Sequence, residues 1–101
     1  MRILVLDVPR EGVTPADYAP HLLNEIQHGY SLMKQDIIRE MYVRQDHPGV
    51  VVIVEAESVE KAKEICDQFP LVKAGLIDFQ YIPFTNYTFI ENLFADQYKQ
   101  A

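Results

Sequence analysis

The stretch from Ile38 to Arg44, IREMYVR, sets Glu40, Tyr42 and Arg44 at every second position. On an extended strand that spacing turns all three side chains to one face. A carboxylate, a phenol and a guanidinium so grouped can move a proton: a partly desolvated Glu40 acts as general base while Arg44 and Tyr42 hold an anionic or carbonyl-bearing substrate. Glu55, on a neighbouring stretch, offers a second carboxylate for the same role. His28 is a further candidate, lining a pocket between helix and sheet, because imidazole changes charge near neutral pH. In HLLNEIQH, His21, Glu25 and His28 fall at i, i+4 and i+7 on one helical stripe, a combination of types able to ligate a metal. The same spacing arises on any polar helix flank and the HExxH signature is absent, so the stripe reads as a solvated flank without a metal. Asp7, Glu40, Glu55 and Asp78 have a competing structural role, as strand-end or rim charges that blunt sheet edges and match arginines.

Other kinds of site are missing from the chain. It has no phosphate-binding glycine loop, nucleophile elbow or cofactor lysine motif, so any reaction is expected to run on side chains without a cofactor. A single cysteine, Cys66, excludes an internal disulfide and two-cysteine motifs; it falls in helical step with Val59, Ala62 and Phe69, which assigns it to packing. The net charge is -6 and the nine basic residues are scattered, which argues against a nucleic-acid partner. Apolar runs are too short to cross a membrane. The opening MRILVLDVPREG lacks the long apolar region and cleavage site of a signal peptide, so the expected location is cytoplasmic.

The elements that must position these groups follow from pattern. Hydrophobic residues make up 49% and charged residues 24% of 101, the balance of one globular domain. Arg2–Val8 reads as a strand closed by Pro9 and Gly12. TPAD starts a short turn capped by Thr14, and Pro20 delays the main helix, which then runs to Lys34. Asp36–Asp46 and Val50–Ala56 form a hairpin around HPG, and Ser58 caps a second helix ending near Phe69. After a loop, PLVKAG, Leu76–Phe84 is a fourth strand. An amphipathic helix over residues 86–99 closes the chain, with Phe89, Ile90, Leu93, Phe94 and Tyr98 on one side.

The order β-α-β-β-α-β is that of an α+β, ferredoxin-like domain spanning residues 1–101: a core of 1–84, a four-stranded antiparallel sheet with two helices on one face, and the C-terminal helix. Alternation divides the strands into two faces. Leu4, Leu6 and Val8, Ile37, Met41 and Val43, Val50, Val52 and Val54, and Ile77, Phe79 and Tyr81 are assigned beneath the helices. The other face mixes Ile3, Val5, Asp7, Ile38, Glu40, Tyr42, Arg44, Val51, Ile53, Glu55, Asp78, Gln80, Ile82 and Phe84. That face is too apolar for water, and two copies meeting there as a homodimer would cover it.

Two stretches carry a family resemblance. FPLVKAGLIDFQYIPF, Phe69 to Phe84, resembles the C-terminal half of muconolactone-isomerase-like proteins, in which a Leu- or Phe-Pro-Leu turn leads into a last strand ending IPL or similar. IIREMYVRQDHPGVVVIVEAESVEKAKEI resembles the hairpin and second helix of the same group and of related small dimeric α/β-barrel proteins. The likeness spans about Met1 to Phe84; the first helix and the aromatic C-terminal segment depart from it. It implies a dimeric α/β barrel with a small cavity for an aromatic or lactone-type compound. Moving a proton across a lactone needs a base at the ring carbon and a cation or donor at the developing enolate. Glu40 or His28 suits the first role and Arg44 or Tyr42 the second. The expected function is a small cofactor-free enzyme transferring a proton on a lactone or other small cyclic anionic metabolite. The alternatives are a non-catalytic small-molecule-binding or assembly dimer, and a cofactor-free monooxygenase, which this chain's lack of tryptophan disfavours.

Overall fold

A computed structural model describes residues 1–95. Strand β1 (Arg2–Pro9) is followed by a four-residue helix α1 (Pro15–Tyr18), a 3-10 turn at Ala19–His21, and helix α2 (Leu22–Lys34). The interruption falls at Pro20, whose ring cannot continue a helix from the preceding turn. At its start, the Asp17 carboxylate accepts the Thr14 N–H at 2.7 Å, a donor the helix itself leaves unpaired. Strands β2 (Ile38–Val43) and β3 (Val50–Glu55) form the expected hairpin, and helix α3 (Val59–Cys66) starts where the Ser58 hydroxyl accepts the Lys61 N–H at 3.1 Å. The expected loop after Phe69 is partly helical. Pro70 occupies the first position of α4 (Pro70–Lys73), the Phe69 carbonyl accepts from Val72 N–H at 3.0 Å, and Gly75 in the left-handed region ends the turn before β4 (Ile77–Phe84).

The sheet order is β2-β3-β1-β4 with every pair antiparallel, the ferredoxin-like arrangement. Its helix-covered face holds Ile3, Val5, Val52 and Val54 against Leu32 of α2, Ala62 and Cys66 of α3, and Phe69. Burying such side chains contributes about 1.5–3 kcal/mol apiece. Cys66 is sealed in this layer, which pushes its thiol up to about 12, so it packs and does not react.

The face assignment of β1 is reversed from the sequence expectation. Ile3, Val5 and Asp7 lie beneath the helices, opposite Val54, Val52 and Phe79, while Leu4, Leu6 and Val8 face the open side with Ile53, Val51 and Asp78. Both sets are rich in branched residues, so alternation alone could not rank them; the acid at position 7 pointed the wrong way. Ile38 is also buried, because a bulge between Ile38 and Glu40 inserts Arg39 and lets both Ile38 and Met41 face the helices. The expected faces hold for β3 and β4.

The C-terminal segment differs too. Within the described residues it is a 3-10 stretch, Thr88–Phe94, and Tyr98 lies outside them. Phe89 is 70% and Phe94 69% exposed, so no surface of the same chain rewards an amphipathic α-helix here. The segment leaves the sheet at Phe84, where the Arg2 guanidinium stacks 5.2 Å from the ring and donates to Asn86 Oδ1 at 2.6 Å. The radius of gyration is 17.6 Å, against about 13 Å for a compact chain of this size.

Candidate functional site

Helix α2 lies close to the sheet at Gly29, where a Cβ would stand 3.2 Å from Met41 Cε. Along its length Leu22, Ile26, Tyr30 and Met33, all exposed, form the outer wall of an open-mouthed cavity of about 590 Å³, a size suited to a small metabolite. Its walls are mainly apolar, with Leu22 and Ile26 from α2, Met41 from β2, and Phe69, Ile77 and Phe79 across from them. Asp7, Glu25 and Tyr18 are polar groups set among them, with the more exposed Tyr30 and Tyr42 at the border.

Asp7 is held by backbone architecture. Its carboxylate accepts the Val50 N–H at 3.0 Å and fills the space where Gly49 has no side chain; a Cβ there would sit 2.0 Å from Oδ1. Only 7% of the residue is exposed, and burial raises its pKa above the usual carboxylate value, against the opposing pull of the Val50 hydrogen bond and the Arg44 charge. Glu25 reaches from α2 to accept the Leu71 N–H at 2.9 Å. Burial raises it as well, with the Asp7 charge acting in the same direction. Tyr18, half-buried in α1, is raised by burial and by Asp7 and keeps its hydroxyl proton. Two carboxyls above their ordinary range and a phenol, in a mostly apolar cavity, form a set suited to giving and taking protons.

The four residues singled out by pattern do not converge on this cavity. Glu40 and Tyr42 are together, with the Tyr42 hydroxyl donating to Glu40 Oε1, but their register partners Ile53 and Val51 belong to the open face. Tyr42 borders the cavity and is 54% exposed, while its hydroxyl is spent on Glu40. Arg44 stands closer to the cavity's acid: its Nη1 is 3.5 Å from the Asp7 carbonyl oxygen, and its other donors clamp Asp46 at 2.6 and 2.9 Å. His28 packs edge-on against Phe69 with ring centroids 4.5 Å apart, behind the cavity wall. Its Nε2 is buried without a partner, and burial, together with the charge on Lys73, lowers its pKa and favours the neutral ring. Asp78 pairs with Arg10 at 2.9 Å and Glu55 with the amino terminus at 3.1 Å, both at the surface. Glu25, expected on a solvated flank, is a cavity residue, and no group of three potential metal ligands occurs among the described residues.

No sequence-family description and no curated protein sequence matches the chain. Solved structures do match. A muconolactone isomerase superposes with a TM-score of 0.68 over 86% of this chain and 91% of the other, at 18% identity. The fold is muconolactone-isomerase-like. A second match of that shape is the 5-chloro-2-hydroxyhydroquinone dehydrochlorinase of Burkholderia phenoliruptrix, in complex with 2,5-dihydroxybenzoquinone. It has a TM-score of 0.64, 20% identity, and covers 87% of this chain and 97% of that one. In this muconolactone-isomerase-like frame β1 supplies Asp7, α1 Tyr18 and α2 Glu25, three elements that meet only at the cavity. Asp7 keeps step with Ile3 and Val5, but its pairing with positions 49 and 50 is visible only in the fold, and Tyr18 carried no signal in the sequence.

Proposed function

We propose that this protein is a cofactor-free enzyme that transfers a proton on a small cyclic metabolite, in the manner of a muconolactone isomerase. The observation that carries the reading is a pair of raised carboxyls, Asp7 and Glu25, bordering one largely apolar cavity. Glu25 is the better base, since Asp7 is committed to Val50 and Gly49 leaves it little room to move. In this scheme Glu25 takes a proton from a ring carbon next to a carbonyl, and the Tyr18 hydroxyl donates to the developing enolate oxygen. Arg44 holds the Asp7 strand end, and His28 backs Phe69 in the wall. Glu40 and Tyr42 are placed at the open face, where a second copy of the chain would cover them.

The reading is tested with a panel of small unsaturated lactones and phenols in deuterated buffer, following exchange of the ring C–H by NMR. Exchange should occur with the native protein and fall about 10²–10⁴-fold in Glu25→Gln, whose amide oxygen can still accept from Leu71 N–H. Equal exchange in the variant would remove Glu25 from the mechanism. A second reading, a homodimer that binds or assembles without chemistry, is favoured by the apolar open face of Leu4, Leu6, Val51, Ile53, Ile82 and Phe84 and by the exposed C-terminal stretch. Absence of exchange with every compound would favour it.

A further inference from the structure

The polar groups bordering the cavity are all hydroxyls or acids: Asp7, Glu25, Tyr18, Tyr30 and Tyr42, with no lysine, arginine or histidine among the described lining residues. The cations nearby are engaged elsewhere. Arg44 is clamped to Asp46, and what remains of its charge is felt by Asp7, whose backbone carbonyl its Nη1 approaches at 3.5 Å; Lys34 lies 5.7 Å from the outer Tyr30 ring; and His47, near the hairpin tip, sits beside Asp46 and also acts on Asp7. His28 and Lys73 lie behind Phe69 and outside the lining. A carboxylate entering this space would meet two acids and no cation on the lining, the Arg44 and His47 charges nearby being already shared between Asp7 and Asp46, in a protein whose net charge is -6. An unpaired anion in an apolar site is strongly disfavoured, and the field of the whole molecule opposes its approach.

We infer that the natural ligand of this cavity is an uncharged cyclic compound carrying hydroxyl or carbonyl groups, and not a carboxylate. This departs from the anionic substrate expected from the sequence, and it rests on the proposal that the cavity is the functional site. Hydroxyl groups on the ring would donate to Glu25 or to the outer oxygen of Asp7, while a ring carbonyl would accept from Tyr18. The apolar walls take the ring itself.

A matched pair of probes separates the possibilities: 4-hydroxybenzamide, which is neutral, and 4-hydroxybenzoate, which has nearly the same shape and a negative charge. Binding to the full chain is measured by calorimetry and by thermal shift, and shifts of the Ile26 and Met41 methyl signals in NMR locate the bound probe. The amide should bind in the cavity at least about tenfold more tightly, since the acid must be desolvated without a partner. Asp7→Asn or Glu25→Gln, tested singly, should narrow that preference. Because either substitution can disturb folding, raised salt provides a test on the native protein: it should improve benzoate binding and leave amide binding unchanged. Equal or tighter cavity binding of the benzoate would overturn the inference while leaving the cavity as the site. Failure of both probes to shift the cavity methyls at millimolar concentration would overturn both.

Discussion

Asp7 is a carboxyl whose surroundings work against its charge, and that has a measurable pH signature. Its ordinary value is 3.8, and burial raises it in the folded state. A group raised in this way contributes its full stabilising share below the unfolded value, and that share is lost as pH rises through the folded one. Asp7→Asn carries no such dependence and its amide oxygen can still accept from Val50. The melting temperature of the variant relative to the native protein should therefore climb as pH rises from about the ordinary value through the raised one, then level off. A difference that instead grows toward acid pH would contradict the burial account. At this scale the sequence showed which chemistries were present more readily than where they sit. Glu40, Tyr42 and Arg44 share a strand pattern, and in the fold Tyr42 borders the cavity with its hydroxyl held by Glu40. Asp7 looked like a rim charge because nothing in the sequence shows that Val50 N–H and an absent side chain at position 49 await it.

Among the elements, the hairpin tip between β2 and β3 governs the acid. Gly49 has a φ of 152° and its missing Cβ is occupied by Asp7 Oδ1. Gly49→Ala should destabilise the fold by about 1–3 kcal/mol, combining backbone strain with the displaced hydrogen bond, and should weaken cavity ligands as the carboxylate moves. Gly12 also has a positive φ, 81°, but nothing lies within 4 Å of a Cβ there. Gly12→Ala thus isolates the backbone contribution, and denaturant titration of the two variants gives the difference; equal losses would remove the steric role assigned to position 49. The order of elements was readable because strands, caps and prolines each leave local marks: Ser58 caps α3, and Pro20 breaks the first helix where its ring requires. What alternation could not supply was the side of β1, since Leu4 and Leu6 are as apolar as Ile3 and Val5, or the bulge at Arg39, which shifts Ile38 into the core.

Among the described residues of the molecule, apolar surface remains uncovered on the open sheet face, on the Thr88–Phe94 stretch and along α2 at Leu22, Leu23, Ile26 and Met33. Pairing two open faces would cover the first, and the charge of a lysine at its centre would not survive such contact. Ile53→Lys should convert a dimer to a monomer in sedimentation equilibrium while leaving secondary structure intact, because Ile53 points away from the core. A native protein that stays monomeric across the micromolar range would exclude this assembly. The muconolactone-isomerase-like architecture was visible in the Phe69–Phe84 stretch because its turn and strand serve the fold. The polarity of the cavity was not, because it depends on side chains brought together from β1, α1 and α2.

The bulge in β2 also bears on how such an assembly can grow. With the order β2-β3-β1-β4, the sheet has two free edges, and each is interrupted: β2 by the extra residue Arg39, β4 by Pro83, which has no N–H to offer. A strand from another chain would find no continuous ladder on either side. Edge-to-edge addition, which runs on into fibres, is thereby opposed.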